Sequence, residues 1–351
     1  MPKLGHPIRS TSAVAAAALL AVVVAGTAGA SPAKHSDVTI TGAGATFPAP
    51  LIAQWVPALG PALGITFNYS AVGSGAGITQ ITARTVDIGA SDAPLTPDQF
   101  TACNGCIQIP WALGGTSVMY NLSGVKNLLH MDGPTIAKIF LGQITTWNDP
   151  AIAKLNPGVS LPSTAITIAH RSDGSGTTYN ITDYLSSVSP EWSSKVGKGT
   201  AVNWPVGVGG KGSSGVAAVV ASTPGAIGYA DVAYALQNHL QYFAMKNNSG
   251  KFTTPGTRGV TAAASSGQKP AADNSLSIVN PPKKYANAYP ISTFTYAIVP
   301  LSSPKAADLK RMLFWIVTKG QATQYTAKLR FVPLPASVLS VDEKAIAKIH
   351  S

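Results

Sequence analysis

The chain has 351 residues, a formal net charge of +11 and 11% charged residues. That length suits one large domain or two of ordinary size, with ample room for a buried core. Its basic residues are scattered, the densest pairs being Lys283-Lys284 and Lys310-Arg311, so nucleic acid is not expected as a partner, while the field favours anionic ligands.

Lys3 and Arg9 precede the apolar stretch AVAAAALLAVVVAG, and the small residues Ala28 and Ala30 follow it. This is the pattern of a signal peptide, residues 1–30, cleaved after Ala30. An uncleaved membrane anchor is the alternative, but the stretch is short for a span. No Cys follows it for lipid attachment. An exported, soluble protein is expected, with a mature net charge of about +9.

Next, DVTITGAG reads as a strand and PAPLIAQWVPAL as a helix. ITFNYSAVGSGAGITQITART repeats strand, Gly-rich turn and helix, and VDIGASD is a short strand ending in a polar turn. IQIPWALGGTSVMYNL reads as two strands, and DGPTIAKIFLGQITTW has helical spacing. AITIAHRSDGSGTTYNITDYLSS is again strand, Gly-rich turn and helix; GSSGVAAVVASTPGAIGYAD is a helix, a turn and a strand. Residues 245–290 are polar, lack a period and read as a long surface excursion. ISTFTYAIVP is a strand, and KAADLKRMLFWIVTKG an amphipathic helix stopped at Gly320. Such alternation implies an α/β architecture with largely parallel sheets.

Cys103 and Cys106, in TACNGCIQIP, are the two cysteines of the chain. In an exported protein they are expected to form a disulfide around a tiny loop. A redox dithiol is the rival reading, but Asn-Gly between them reads as a turn. The six histidines show no ligand spacing, so neither a metal nor a cofactor is expected.

Three strand-to-helix turns carry the same chemistry: Gly44-Ala45-Thr46-Phe47, Gly73-Ser74-Gly75-Ala76-Gly77 and Asp173-Gly174-Ser175-Gly176-Thr177. Each combines glycine, a hydroxyl and a helix start, whose free N–H groups attract anions. Each alone is an ordinary turn. Three in one α/β chain point to a shared anion site at the carboxyl ends of the strands. Arg171 can add bidentate contacts to an oxyanion, or simply pair with Asp173. Asp92 would repel most anions, and makes sense in such a site only if the anion carries a proton for it to accept.

TGAGATFPAPL, VGSGAGI, GASDAPL, RSDGSGTT, KGSSGVAA and TPGAIGYAD, in this order, resemble the motifs of PstS-type phosphate-binding proteins of ABC importers. The resemblance runs from about residue 39 to FVPLP near residue 335. It implies a two-lobed periplasmic-binding-protein fold, each lobe a mostly parallel sheet flanked by helices, with the ligand in the interlobe cleft. The first lobe would comprise residues 37–114 and 288–351, the second 115–287. The implied phosphate ligands are Thr46, the Phe47 backbone N–H, Ser74, Asp92, Arg171, Ser175, Gly176 and Thr177, with Asp173 supporting Arg171. The implied partners are inorganic phosphate and the permease subunits with their cytoplasmic ATPase; the implied place is the periplasm, and the implied state a monomer. The Cys103/Cys106 pair and a shortened segment before AYPIST depart from the family pattern.

An enzyme is the rival class. A phosphatase needs a nucleophile with its base, or a metal pair. No G-x-S-x-G surrounds Ser74 or Ser175, and no Ser or Thr follows the Gly-Lys of GGKG at 209–212. A phosphate scavenger without a transporter, or a binder of another protonated oxyanion such as arsenate, would present the same residues.

Overall fold

The computed structural model describes residues 38–266 and 270–351. The expected signal segment, residues 1–30, lies outside the described residues. Strands β1 (Val38–Gly44), β2 (Ile65–Ser70) and β3 (Ile88–Ser91) pair in parallel, with α1 (Ala49–Leu63) and α2 (Ser74–Thr82) between them in sequence. α3 (Pro97–Cys103) starts on a capping box, Thr96 with Gln99, which satisfies two end donors.

β4 (Cys106–Tyr120) is one strand of 15 residues, not the two read from its sequence. Gly114-Gly115 is no turn. A Cβ on Gly114 would lie 2.9 Å from the Phe47 ring, and one on Gly115 2.9 Å from Pro255. The glycines stand where other segments press closely on an extended strand.

Beyond β4 come β5 (His130–Met131), α4 (Gly133–Phe140), α5 (Pro150–Leu155), β6 (Thr167–Arg171), α6 (Gly176–Val188) and α7 (Pro190–Lys195). Then follow β7 (Val208–Gly210), α8 (Gly212–Ser222), β8 (Ala226–Asp231) and α9 (Val232–Gln237). β9 (Gln241–Tyr242) pairs with β4, while β10 (Ala244–Lys246) and β11 (Phe252–Thr253) join β5 in a small sheet. The chain ends with α10 (Thr257–Ala264), β12 (Ser292–Pro300), α11 (Ala306–Val317), α12 (Thr323–Thr326) and α13 (Ala336–Ala347).

The main sheet runs β2-β1-β3-β12-β4-β8-β6-β7. Its outer strands pair in parallel, as β/α alternation predicts. The central pairings β3–β12, β12–β4 and β4–β8 are antiparallel, so the sheet is mixed. Cys106–Gly115 of β4 pairs with β12 and Thr116–Tyr120 with β8.

Two large cores lie along this sheet. One holds Trp55, Phe67, Trp111 and Leu313, drawn from residues 40–112 and 297–349 apart from Ala233. The other holds Tyr120, Trp147, Tyr184 and Phe243, drawn from residues 118–291. Each has its own buried tryptophans and aromatic packing.

The stretch 245–290 departs from its reading as a surface excursion. Val260, Ala263, Leu276 and Ile278 are buried against Leu113, Phe294 and Tyr296. Gln108 donates to Asp273 O at 2.9 Å, and the Tyr296 hydroxyl to Leu276 O at 2.9 Å. Its apolar residues come from a short helix and irregular chain, which carry no period to read.

Cys103 and Cys106 are disulfide-bonded, with Cα atoms 5.6 Å apart. Asn104 and Gly105 between them have φ of 37° and 82°, the turn expected from Asn-Gly. Arg84 braces the loop, donating to Cys103 O at 2.7 Å and Asn104 O at 3.0 Å. With so short a loop and a second brace, Cys103→Ser with Cys106→Ser is expected to cost less than about 3 kcal/mol. Urea unfolding of the two proteins checks this.

Asp342, on α13, is fully buried, and neither carboxylate oxygen has a hydrogen-bond partner among the described residues. Burial, with Glu343 adding to it, pushes its pKa up to about 9. The unfolded chain ionises it near pH 4, so stability is lost progressively as pH rises from about 4 towards 9. Asp342→Asn is expected to stabilise the protein by roughly 2–4 kcal/mol at pH 7 and by almost nothing at pH 4. Thermal unfolding at the two pH values measures the difference.

Candidate functional site

Every candidate residue sits at or just beyond the carboxyl end of a strand. Thr46 and Phe47 follow β1, Ser74 opens α2 after β2, and Asp92 follows β3. Arg171 ends β6, and Ser175, Gly176 and Thr177 open α6. The starts of α1, α2 and α6 thus face this end of the sheet, each with the positive end of its dipole.

Contacts between the two halves are direct. The Ser74 Oγ accepts from Gly176 N–H at 3.0 Å and from Asp92 N–H at 3.3 Å. Thr177 Oγ1 donates to Asp92 Oδ2 at 3.2 Å. Gly75 N–H donates to Gly174 O at 3.0 Å. A Cβ on Gly176 would come within 2.6 Å of Asp92 N, so only glycine permits this approach without a shift.

Arg171 is the hub. Its side chain is 1% exposed and pairs with Asp173, Nε to Oδ1 at 2.7 Å and Nη2 to Oδ2. That leaves Nη1, which donates to Thr46 Oγ1 at 3.1 Å and Ser213 Oγ at 3.5 Å. Burial pushes the Asp173 carboxyl up, but its bonds from Arg171 and from Gly212 N–H outweigh this and hold its pKa below the ordinary value. Asp173 therefore stays charged, neutralises Arg171 and aims it.

Asp92 is the unusual group. It is 2% exposed, and its Oδ1 has no partner among the described residues. Burial raises its pKa to about 7, against the opposing pull of Arg171 and Thr177. A free acceptor atom and a proton affinity near neutrality suit a group that shares a proton with its ligand.

Two candidates take part differently from the rest. The Ser175 hydroxyl oxygen is the N-cap of α6, accepting from Thr178 N–H at 3.1 Å. The Phe47 ring is buried in the first core, edge-on to Phe331 at 5.9 Å, so only its backbone can serve the cleft.

Four residues of this neighbourhood were not named from the sequence. Ser213, on α8, bonds Thr46 Oγ1 through its Oγ at 2.7 Å and its N–H at 3.1 Å. Its signal was present: GGKGSSG is a fourth Gly-rich strand-to-helix turn. Tyr69 and Tyr234 donate to the carbonyls of Ala45 and Thr46. Asp231 is fully buried, with Oδ2 unpartnered among the described residues. Burial raises its pKa well above the ordinary carboxylate value, and the nearby Asp92 adds to the rise. Among the described residues no cluster of His, Cys, Asp or Glu could hold a metal ion, and no helix is long and apolar enough to cross a membrane.

Two α/β bodies that share central strands and turn strand ends towards one cleft make a two-lobed binding-protein fold. Comparison with known proteins agrees. Residues 26–317 match the model of the PBP superfamily domain. The phosphate-binding protein PstS of Xylella fastidiosa (strain Temecula1) is 44% identical over 314 residues, 88% of this chain and 85% of that protein. That of Pasteurella multocida (strain Pm70) is 40% identical over 306 residues, 86% and 88% of the two chains. Among solved structures, the periplasmic phosphate-binding protein PfluDING with bound phosphate aligns with TM-score 0.68 and 21% identity, over 87% of this chain and 92% of that one. A phosphate-binding protein of Stenotrophomonas maltophilia aligns with TM-score 0.68 and 18% identity, over 88% and 93%. The structural likenesses bear on the fold. The chain belongs to the periplasmic-binding-protein superfamily and, within it, to the family of PstS phosphate-binding proteins.

Proposed function

We propose that this chain captures inorganic phosphate between its two lobes and delivers it to an ABC import permease. The observation that carries the reading is the meeting of three donor turns, one neutralised arginine and one buried acid with a free oxygen. Phosphate keeps at least one proton at neutral pH, and Asp92 is the group to accept it. Sulfate has none to offer. Because Asp173 cancels the charge of Arg171, attraction rests on oriented hydrogen bonds and helix starts rather than net charge. Family membership supports the same ligand. No nucleophile–base pair is part of the reading, which is one of binding rather than catalysis.

The lobes in this reading are residues 37–114 with 288–351, and 115–287. Residues 1–30 serve as the export signal, and the mature protein works as a monomer outside the cytoplasm, in the periplasm or, where the envelope is not Gram-negative, secreted or at the cell surface. Bonds such as Ser74 to Gly176 join the halves, so phosphate stabilises a closed form. The closed shape is what the permease recognises.

Calorimetric titration is expected to give one phosphate per chain. Solution scattering is expected to give a smaller radius of gyration on saturation. No heat with phosphate would remove the ligand assignment; binding without compaction would remove the clamp.

A further inference from the structure

The turn between β1 and α1 is gripped at two successive carbonyls by tyrosine hydroxyls. Tyr69 donates to Ala45 O at 2.7 Å and Tyr234 to Thr46 O at 2.6 Å. A trans peptide points its C=O and N–H in opposite directions. Holding Ala45 O therefore aims the Thr46 N–H, and holding Thr46 O aims the Phe47 N–H. A donor on the carbonyl also polarises the peptide and strengthens its N–H as a donor.

The two tyrosines come from different elements, and α9, which carries Tyr234, stands where the two cores meet, with Ala233 in the first. Tyr69 lies on β2, the parallel neighbour of β1. Tyr234 lies on α9, packed with Met119, Ala169 and Val216 on the side of β6 and β8. α9 is started by Asp231, whose Oδ1 accepts from Ala233 N–H at 2.9 Å. The Tyr69 bond is thus internal to one half, whereas the Tyr234 bond ties the β1–α1 turn to a helix anchored on the side of β6 and β8. Thr46 O also accepts from Ala49 N–H at 3.2 Å, so it keeps a partner when Tyr234 leaves.

We infer that Tyr234 is a positioning residue for anion capture: on closure its hydroxyl reaches across to Thr46 O and sets the Phe47 N–H towards the anion. This rests on the phosphate reading above. Tyr234 touches no anion itself. It couples closure to the quality of a donor in the opposite lobe, and latches the lobes by a bond the ligand does not supply. Tyr69 does the corresponding service for the Thr46 N–H in open and closed forms alike.

Tyr234→Phe removes the hydroxyl and leaves the ring packing. Stopped-flow measurement is expected to show phosphate leaving about tenfold faster, as for the loss of one buried hydrogen bond. The association rate, the phosphate-to-sulfate ratio and the thermal midpoint of the ligand-free variant are expected to match wild type. The unmodified chain provides an independent measurement. With tyrosine labelled at Cζ, slow exchange of the Tyr234 hydroxyl proton is expected only with saturating phosphate, and of Tyr69 in both states. A wild-type release rate in Tyr234→Phe, or equal protection of Tyr234 without phosphate, overturns the inference while leaving phosphate binding intact. A wild-type chain that takes up no phosphate overturns the underlying reading and this inference with it.

Discussion

Phosphate is expected to bind the wild-type chain more tightly than sulfate, by a margin that widens as pH rises above 7, and Asp92→Asn to erase most of that difference. A site built to pair a ligand proton rejects an analogue lacking it by roughly 10⁴–10⁵. The Asp92 Oδ1 has no other partner among the described residues, so nothing within the protein spares a sulfate oxygen from meeting it. An asparagine can turn its amide to donate to sulfate, which removes the repulsion. The wild-type contrast should also depend on pH. With the Asp92 pKa raised to about 7 by burial, sulfate binding needs a proton taken up by the carboxyl above that pH. Sulfate affinity is expected to fall by up to about tenfold per unit above pH 7 and to level off below it. The same substitution should stabilise the ligand-free protein. Folding raises this pKa above its ordinary value, so the stability it contributes is present in acid and lost as pH rises through about 7. At pH 8, Asp92→Asn is expected to gain roughly 3–4 kcal/mol. Paired titrations with the two anions, and thermal unfolding at pH 5 and 8, measure both effects. Equal sulfate affinities in wild type and variant would remove Asp92 as the selecting group.

Arg171→Ala is expected to weaken phosphate binding by about 2–5 kcal/mol, mostly through faster release. Two losses add. The anion loses the Nη1 donor that now reaches Thr46 and Ser213. Asp173 loses the partner that holds its pKa down, and becomes an uncompensated carboxylate beside an anion. Arg171→Ala with Asp173→Asn should therefore bind better than Arg171→Ala alone. A double-mutant cycle by calorimetry separates the two losses. An unchanged dissociation constant in Arg171→Ala would make the arginine a structural strut only.

Much of this site was legible because its chemistry is local. A Gly-rich turn with a hydroxyl at a helix start is written in four or five consecutive residues, and its donors point forward whatever surrounds them. The Gly73–Gly77 and Asp173–Thr177 turns could be named for that reason. Ser213 sits in a turn of the same kind and was passed over; its worth lies in reaching Thr46, 167 residues away in sequence. Tyr69 and Tyr234 carry no local mark at all, since a tyrosine in a strand or a short helix is an ordinary core residue until its hydroxyl meets a carbonyl.

The central strand shows the same division. Gly114-Gly115 interrupts an apolar run, and local propensity favours a break there. The structure keeps the strand whole because β12 pairs with it up to Gly115 and β8 from Thr116 onward. By itself the sequence determined the α/β alternation, the donor turns, the Arg171–Asp173 pair and the family they resemble, all consequences of backbone geometry and short-range hydrogen bonding. The tertiary structure decided that β4 serves both bodies, that residues 257–278 pack on the sheet, that Ser213 faces Thr46, and that Asp92 is buried deeply enough to hold a proton near neutrality. Those depend on which distant surfaces exclude water from one another, and desolvation is a property of the packed assembly rather than of any stretch of chain.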